Sequence, residues 1–150
     1  MRAAFTRQGK IVVDTAEDLV PSAGEVLVKT LACGICGSDL HALGHGHEMV
    51  KSQKETGGPL VYDASKDLIM GHEFCAEILE VGSGVPEHLT SGDIVCSMPV
   101  LVRSDGIHTI GYSNEFPGGY AEHMLLSSQL LLPVRNGLSA AEAALTEPMA

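Results

Sequence analysis

Apolar and polar positions alternate in short stretches along most of this chain, and glycine or proline closes nearly every stretch. A two-residue period of that kind predicts half-buried strands. Residues 1–5 and 10–13 read as two such strands, with Gln8-Gly9 turning between them. Pro21-Ser22-Ala23-Gly24 marks a turn, after which residues 25–31 alternate as a third strand. Residues 74–81 make a fourth and end at Gly82-Ser83-Gly84. The turn Ser91-Gly92 leads to a fifth over residues 93–98, and a sixth covers residues 118–126. Short glycine-punctuated strands at this spacing predict a mainly β fold, a small antiparallel barrel.

Two stretches depart from the alternation. Ser139-Ala140-Ala141-Glu142 has the capping-box form, so residues 140–145 predict one short helix. Residues 42–69 hold no sustained period. Gly44, Gly46, Gly57, Gly58 and Pro59 interrupt them, and Lys51, Lys54 and Glu55 make them polar. They read as an exposed excursion with a short helix near residues 48–53.

Composition narrows the class. At 150 residues and 45% hydrophobic, the chain is long enough for one domain with a real core. A formal charge of −10 argues against nucleic acid or an anionic membrane as partner, since both select basic patches. No apolar run approaches the ~18 residues of a membrane span. The start, Met1-Arg2-Ala3-Ala4-Phe5, lacks the apolar stretch of a signal peptide. The expected setting is therefore cytoplasmic, with the cysteines reduced. Cys75 and Cys96 fall in apolar runs and read as small buried thiols.

The chemistry concentrates in Ala32-Cys33-Gly34-Ile35-Cys36-Gly37-Ser38-Asp39-Leu40-His41, with Gly71-His72-Glu73 and Glu147-Pro148 further on. Cys, His and carboxylate side chains bind zinc, and a catalytic site uses three of them and leaves a position open. Cys36, His72 and Glu147 would supply that set. Cys33-Gly34-Ile35-Cys36 also has the form of a redox pair, but such a motif opens a helix in a βαβ unit. Glycine, serine and more β pattern follow here, which leaves Cys33 a structural role. His45 and His47 join His41 in a glycine-rich stretch and read as solvated. His88, His108 and His123 have no convergent partners in the sequence.

Cys36-Gly37-Ser38-Asp39-Leu40-His41, Gly71-His72-Glu73-Phe74 and Glu147-Pro148-Met149-Ala150 together resemble the catalytic domain of the zinc-dependent medium-chain alcohol dehydrogenases. The Glu-Pro form is closest to the polyol, sorbitol and butanediol branch. The resemblance implies a distorted GroES-like barrel, like that of the co-chaperonins, holding one catalytic zinc. It implies Cys36 and His72 as ligands, with Glu147 as a third, and Glu73 either as a ligand or as a carboxylate behind the site. It also implies a proton relay from the substrate alcohol through Ser38 and a cofactor ribose to His41. Such a relay needs a hydroxyl that both donates and accepts and a base titrating near neutrality. Asp39 is expected to accept the spare ring N–H of His72 and so fix its tautomer.

Two departures accompany the resemblance. Many relatives carry four cysteines for a structural zinc where residues 97–117 here carry none, so no structural zinc and a shorter lobe are expected. The 42–69 stretch, by contrast, looks longer than usual and lies beside the active-site mouth, where it would shape substrate access. No Gly-x-Gly-x-x-Gly is present: Gly82-Ser83-Gly84-Val85-Pro86-Glu87 lacks the third glycine and has a proline where a helix should start. In the family a Rossmann domain follows the segment matching Glu147-Pro148, so residues 1–150 are expected to be a fragment or isolated domain. The full-length enzyme would use NAD or NADP, act on a small alcohol or ketone, and form a homo-oligomer. Two other readings stay open, a non-catalytic co-chaperonin-like assembly module and a thiol redox protein using Cys33 and Cys36.

Overall fold

The computed structural model describes residues 1–150 apart from Pro59, Val61 and Asn136. Pro59, one of the residues expected to break up the 42–69 stretch, therefore lies outside the described residues. Strand takes 35% of the chain and helix 21%, which makes the fold mainly β, as the alternation predicts.

The first hairpin joins β1 (Arg2–Arg7) to β2 (Lys10–Thr15) through Gln8 and Gly9, both at positive φ. The central sheet contains β3 (Glu25–Cys33), β4 (Phe74–Val81), β5 (Ile94–Ser97), β8 (His123–Ser127) and β9 (Leu131–Pro133). Its order is β8-β3-β4-β5-β9, antiparallel throughout. A second hairpin, β6 (Val100–Arg103) with β7 (Gly106–Thr109), occupies the cysteine-free lobe. The expected sixth strand is shorter than its sequence pattern. Residues 118–120 instead bond to residues 69–71, through Gly118 N to Ile69 O, Tyr120 N to Met70 O and Gly119 N to Gly71 O.

Alternation decides which face of the sheet is buried. Val26 and Val28 of β3, Phe74, Ala76 and Ile78 of β4, and Met124 and Leu126 of β8 point into one core. Burial of such side chains contributes about 1.5–3 kcal/mol each. A buried ion pair ties the second hairpin to this core: Arg103 donates from Nε and Nη2 to Glu25 Oε1 and Oε2 at 2.7 and 2.9 Å. The same guanidinium lies over the Phe116 ring.

The 42–69 stretch differs from expectation. It begins inside α1 (Gly37–Thr56), a 20-residue helix that starts right after Cys36. His45, between Gly44 and Gly46, leaves helical φ/ψ at φ −136°, so a kink divides α1 where glycines weaken it. Ala42 and Val50 of α1 pack with Tyr62, Leu68, Met70 and Tyr112 in a second cluster, so one side of the stretch is tied to the fold while Glu48, Lys51, Lys54 and Glu55 stay exposed, as their polarity predicts. Near the end, α2 (Ala140–Ala143) and α3 (Thr146–Met149) replace the single expected helix. The capping box is present, with Glu142 Oε2 accepting from Ser139 N and Ser139 Oγ accepting from Glu142 N. Among the described residues no helix is long and apolar enough to cross a membrane.

Candidate metal centre

Strand register brings the two halves of the site together. Cys33 pairs with Phe74 at the end of the β3–β4 ladder, and Gly34 N donates to Glu73 O one step beyond at 2.7 Å. Cys36 and His72 therefore lie past the same end of the sheet. Gly34 is required by this approach, since a Cβ there would overlap the Glu73 carboxylate. The donor atoms of Cys36, His72 and Glu73 consequently lie within 4.8 Å of one another.

Cys36 is the N-cap of α1, and its backbone N–H donates to Asp39 Oδ2 at 3.0 Å. The same helical turn places Ser38 and Asp39 against His72. Asp39 Oδ1 faces His72 Nδ1 at 3.5 Å, and Ser38 Oγ lies 3.5 Å from His72 Nε2. The imidazole is thus flanked by a carboxylate on one nitrogen while its other nitrogen faces the Ser38 side. Only 8% of His72 and 2% of Asp39 is exposed, so their charges interact with little screening. The facing Asp39 carboxylate, outweighing burial, raises the metal-free His72 to about 9. Burial pushes Asp39 upward, but His72 and the Tyr120 hydroxyl prevail and hold its carboxyl below the usual range.

Two tyrosines complete the pocket, and sequence reasoning missed both. Tyr112 donates to Ser38 Oγ at 2.8 Å, and its ring packs 5.5 Å from the His72 ring. Tyr120 donates to Asp39 Oδ2 at 2.8 Å and to Gly34 O at 3.2 Å. Burial raises both phenols well above their ordinary range, so both keep their protons and act as donors. The available signal is a glycine directly before each ring. Gly111 has φ 83° and lies against the Gly71 backbone, where a Cβ would meet Gly71 O at 3.0 Å. Gly119 likewise lies over Cys33, where a Cβ would crowd the sulfur. Chain can approach chain only at such positions.

Other expected site residues lie further out. Glu147 stands on α3, half-buried, and is not among the three residues whose donor atoms converge. His41 is exposed on α1 and stacks on His45 at 5.2 Å. His45 and His47 are exposed as well. Cys33 and Cys36 are both free thiols, and α1 does follow them, contrary to the β pattern expected there. The flanking β3 and β4 are antiparallel neighbours, however, so no βαβ unit is formed. Burial pushes the Cys33 thiol up to about 12, which leaves little thiolate for exchange. Cys75 and Cys96 are buried among Ala143 and Ala144.

A thiol, an imidazole and a carboxylate with converging donor atoms form a donor set that suits zinc. The carboxylate behind His72 is the usual support for a ligating imidazole.

Comparison with known proteins agrees with this chemistry. The alcohol dehydrogenase GroES-like domain family matches residues 22–136. The chain is 33% identical to the (R,R)-butanediol dehydrogenase of Bacillus subtilis, covering 100% of this chain and 45% of that protein. It is 36% identical to an alcohol dehydrogenase of Geobacillus stearothermophilus, covering 96% and 43%. Among solved structures, 2R,3R-butanediol dehydrogenase from Bacillus subtilis superposes with a TM-score of 0.75 at 29% identity, covering 98% of this chain and 44% of that one. A zinc-binding dehydrogenase from Sinorhizobium meliloti bound to NADP gives 0.75 at 26%, covering 99% and 42%. The chain thus spans less than half the length of these relatives. By the family match and by its relatives, this chain belongs to the alcohol dehydrogenase GroES-like domain family, on the side of the zinc-type alcohol and polyol dehydrogenases.

Proposed function

We propose that residues 1–150 form the zinc-holding catalytic domain of an NAD(P)-dependent dehydrogenase that interconverts a small alcohol or polyol with its ketone or aldehyde. The convergence of Cys36, His72 and Glu73 within 4.8 Å, beside the Ser38 hydroxyl, carries this reading. Cys36, His72 and Glu73 would hold the ion, and Glu147 on α3 is the remaining carboxylate for that role. Zinc in such a site polarises the oxygen of an alcohol or carbonyl as a Lewis acid.

The chain's own groups supply the rest. Asp39 holds the His72 ring in one orientation and keeps its Nε2 side toward Ser38. Ser38 both donates and accepts, so it takes the alcohol proton in oxidation and returns one in reduction. His41, exposed on the same helix, is the base that exchanges this proton with solvent. The hydride acceptor is a nicotinamide cofactor, of the kind bound to the Sinorhizobium meliloti relative. A nucleotide-binding domain beyond residue 150 would hold it.

Metal analysis of the purified protein tests this reading. One zinc per chain is expected, lost in both Cys36→Ser and His72→Ala with the fold retained. Zinc retained in both variants would overturn it.

A further inference from the structure

We propose that Tyr112 is the positioning residue that fixes the Ser38 hydroxyl for proton transfer; this rests on the zinc dehydrogenase reading and extends it. Tyr112 is 5% exposed and held from two sides, by the His72 ring at 5.5 Å and the Tyr62 ring at 6.0 Å. Gly111 anchors its backbone against Gly71, the residue preceding His72. The phenol therefore has one fixed place in the pocket.

Its proton also has one good destination. Ser38 Oγ lies at 2.8 Å, whereas the second contact, to Asp39 Oδ1, is longer and weaker at 3.5 Å. Asp39 Oδ2 is already engaged by Tyr120 and by Cys36 N. A serine hydroxyl has one proton to give and two lone pairs. With one lone pair held by Tyr112, Ser38 keeps its second lone pair for the Nε2 side of His72, where the donor atoms converge, and its proton is free to leave in the other direction. In oxidation the substrate hydroxyl proton moves to Ser38 Oγ as Ser38 passes its own toward His41. The Tyr112 proton stays on its oxygen throughout, so Tyr112 aims Ser38 without taking part in the transfer.

The test uses the protein with cobalt(II) in place of zinc, because cobalt reports its surroundings in the visible spectrum. Wild type, Tyr112→Phe, Ser38→Ala, the double variant and Tyr120→Phe are titrated with cobalt and then with trifluoroethanol. Tyr112→Phe keeps the packed ring and should bind cobalt as wild type does. Its trifluoroethanol affinity should fall about five- to tenfold, the effect of one hydrogen bond. The double variant should bind trifluoroethanol no more weakly than Ser38→Ala alone. Tyr120→Phe removes a half-buried phenol that donates to Asp39 rather than to Ser38, so it should weaken cobalt binding and leave the trifluoroethanol step unchanged. Wild-type trifluoroethanol affinity in Tyr112→Phe, or additive losses in the double variant, overturns the inference while cobalt still binds. Failure of wild type to take up cobalt overturns the zinc reading itself, and the Tyr112 role with it.

Discussion

Replacing Gly34 by alanine should separate the roles of Glu73 and Glu147. A Cβ on Gly34 would overlap Glu73 Oε2 and stand only 3.2 and 3.3 Å from Glu73 Cβ and Cδ. Glu73 is 8% exposed, so its carboxylate has little room to retreat within the pocket. The backbone is not the obstacle, because Gly34 is not among the positive-φ glycines. Overpacking of this kind costs about 1–3 kcal/mol, which the fold should survive. The carboxylate, however, must swing off the line it shares with Cys36 and His72. If Glu73 is a ligand, zinc affinity in Gly34→Ala should fall at least as far as for a lost supporting contact, about 10- to 100-fold. Competition with a chromophoric chelator measures that affinity, and circular dichroism with thermal melting reports the fold. Glu73→Gln should match Gly34→Ala, and Glu147→Gln should show whether α3 also contributes a ligand. A folded Gly34→Ala protein that binds zinc as tightly as wild type would refute the role of Glu73.

Other consequences follow from the same contacts. Asp39→Asn removes the carboxylate that accepts from Tyr120 and Cys36 N and faces His72 Nδ1, and should weaken zinc binding about 10- to 100-fold; unchanged affinity in the chelator assay would dismiss the supporting role. Arg103→Ala strands the Glu25 carboxylate, which is 2% exposed, and should cost about 2–4 kcal/mol in urea unfolding, as for a broken buried pair with one partly exposed member. A loss below about 1 kcal/mol would class that pair with surface ion pairs. The Asp39–His72 pairing sets a pH dependence with a definite sign. Because folding raises His72 from its ordinary 6.5 to about 9, the stability it gives the metal-free protein is complete below 6.5 and fades as pH rises through 9. Zinc competes with that proton, so zinc affinity should rise across the same window. Melting of metal-free protein, wild type against His72→Gln, checks the first part, and a wild-type slope no steeper than the variant's would count against it.

Local pattern revealed the strands well and the layer around the site poorly. Residues 74–81 coincide with β4 because Phe74, Ala76 and Ile78 alternate cleanly into the core. The α1 helix was hidden for two reasons. Only Asp39, Ala42 and Val50 of its residues are buried, so it has almost no apolar stripe, and Gly44 and Gly46 bracket its kink. The β6–β7 hairpin escaped notice because each strand has four residues, too few for a period to show. The convergence of Cys36 with His72 was implied by motif resemblance, but its physical cause is the β3–β4 register, a long-range pairing that no local window contains. The same holds for Tyr112 and Tyr120, whose hydroxyls meet Ser38 and Asp39 across 74 and 81 residues of sequence. Glycine before each ring marked a close backbone approach without naming the partner.

X-ray absorption at the zinc edge addresses the central claim most directly. With stoichiometric zinc, the account predicts one sulfur and two to three lighter donors with an imidazole signature, the sulfur vanishing in Cys36→Ser. A spectrum with no sulfur, or one that Cys36→Ser leaves untouched, contradicts it.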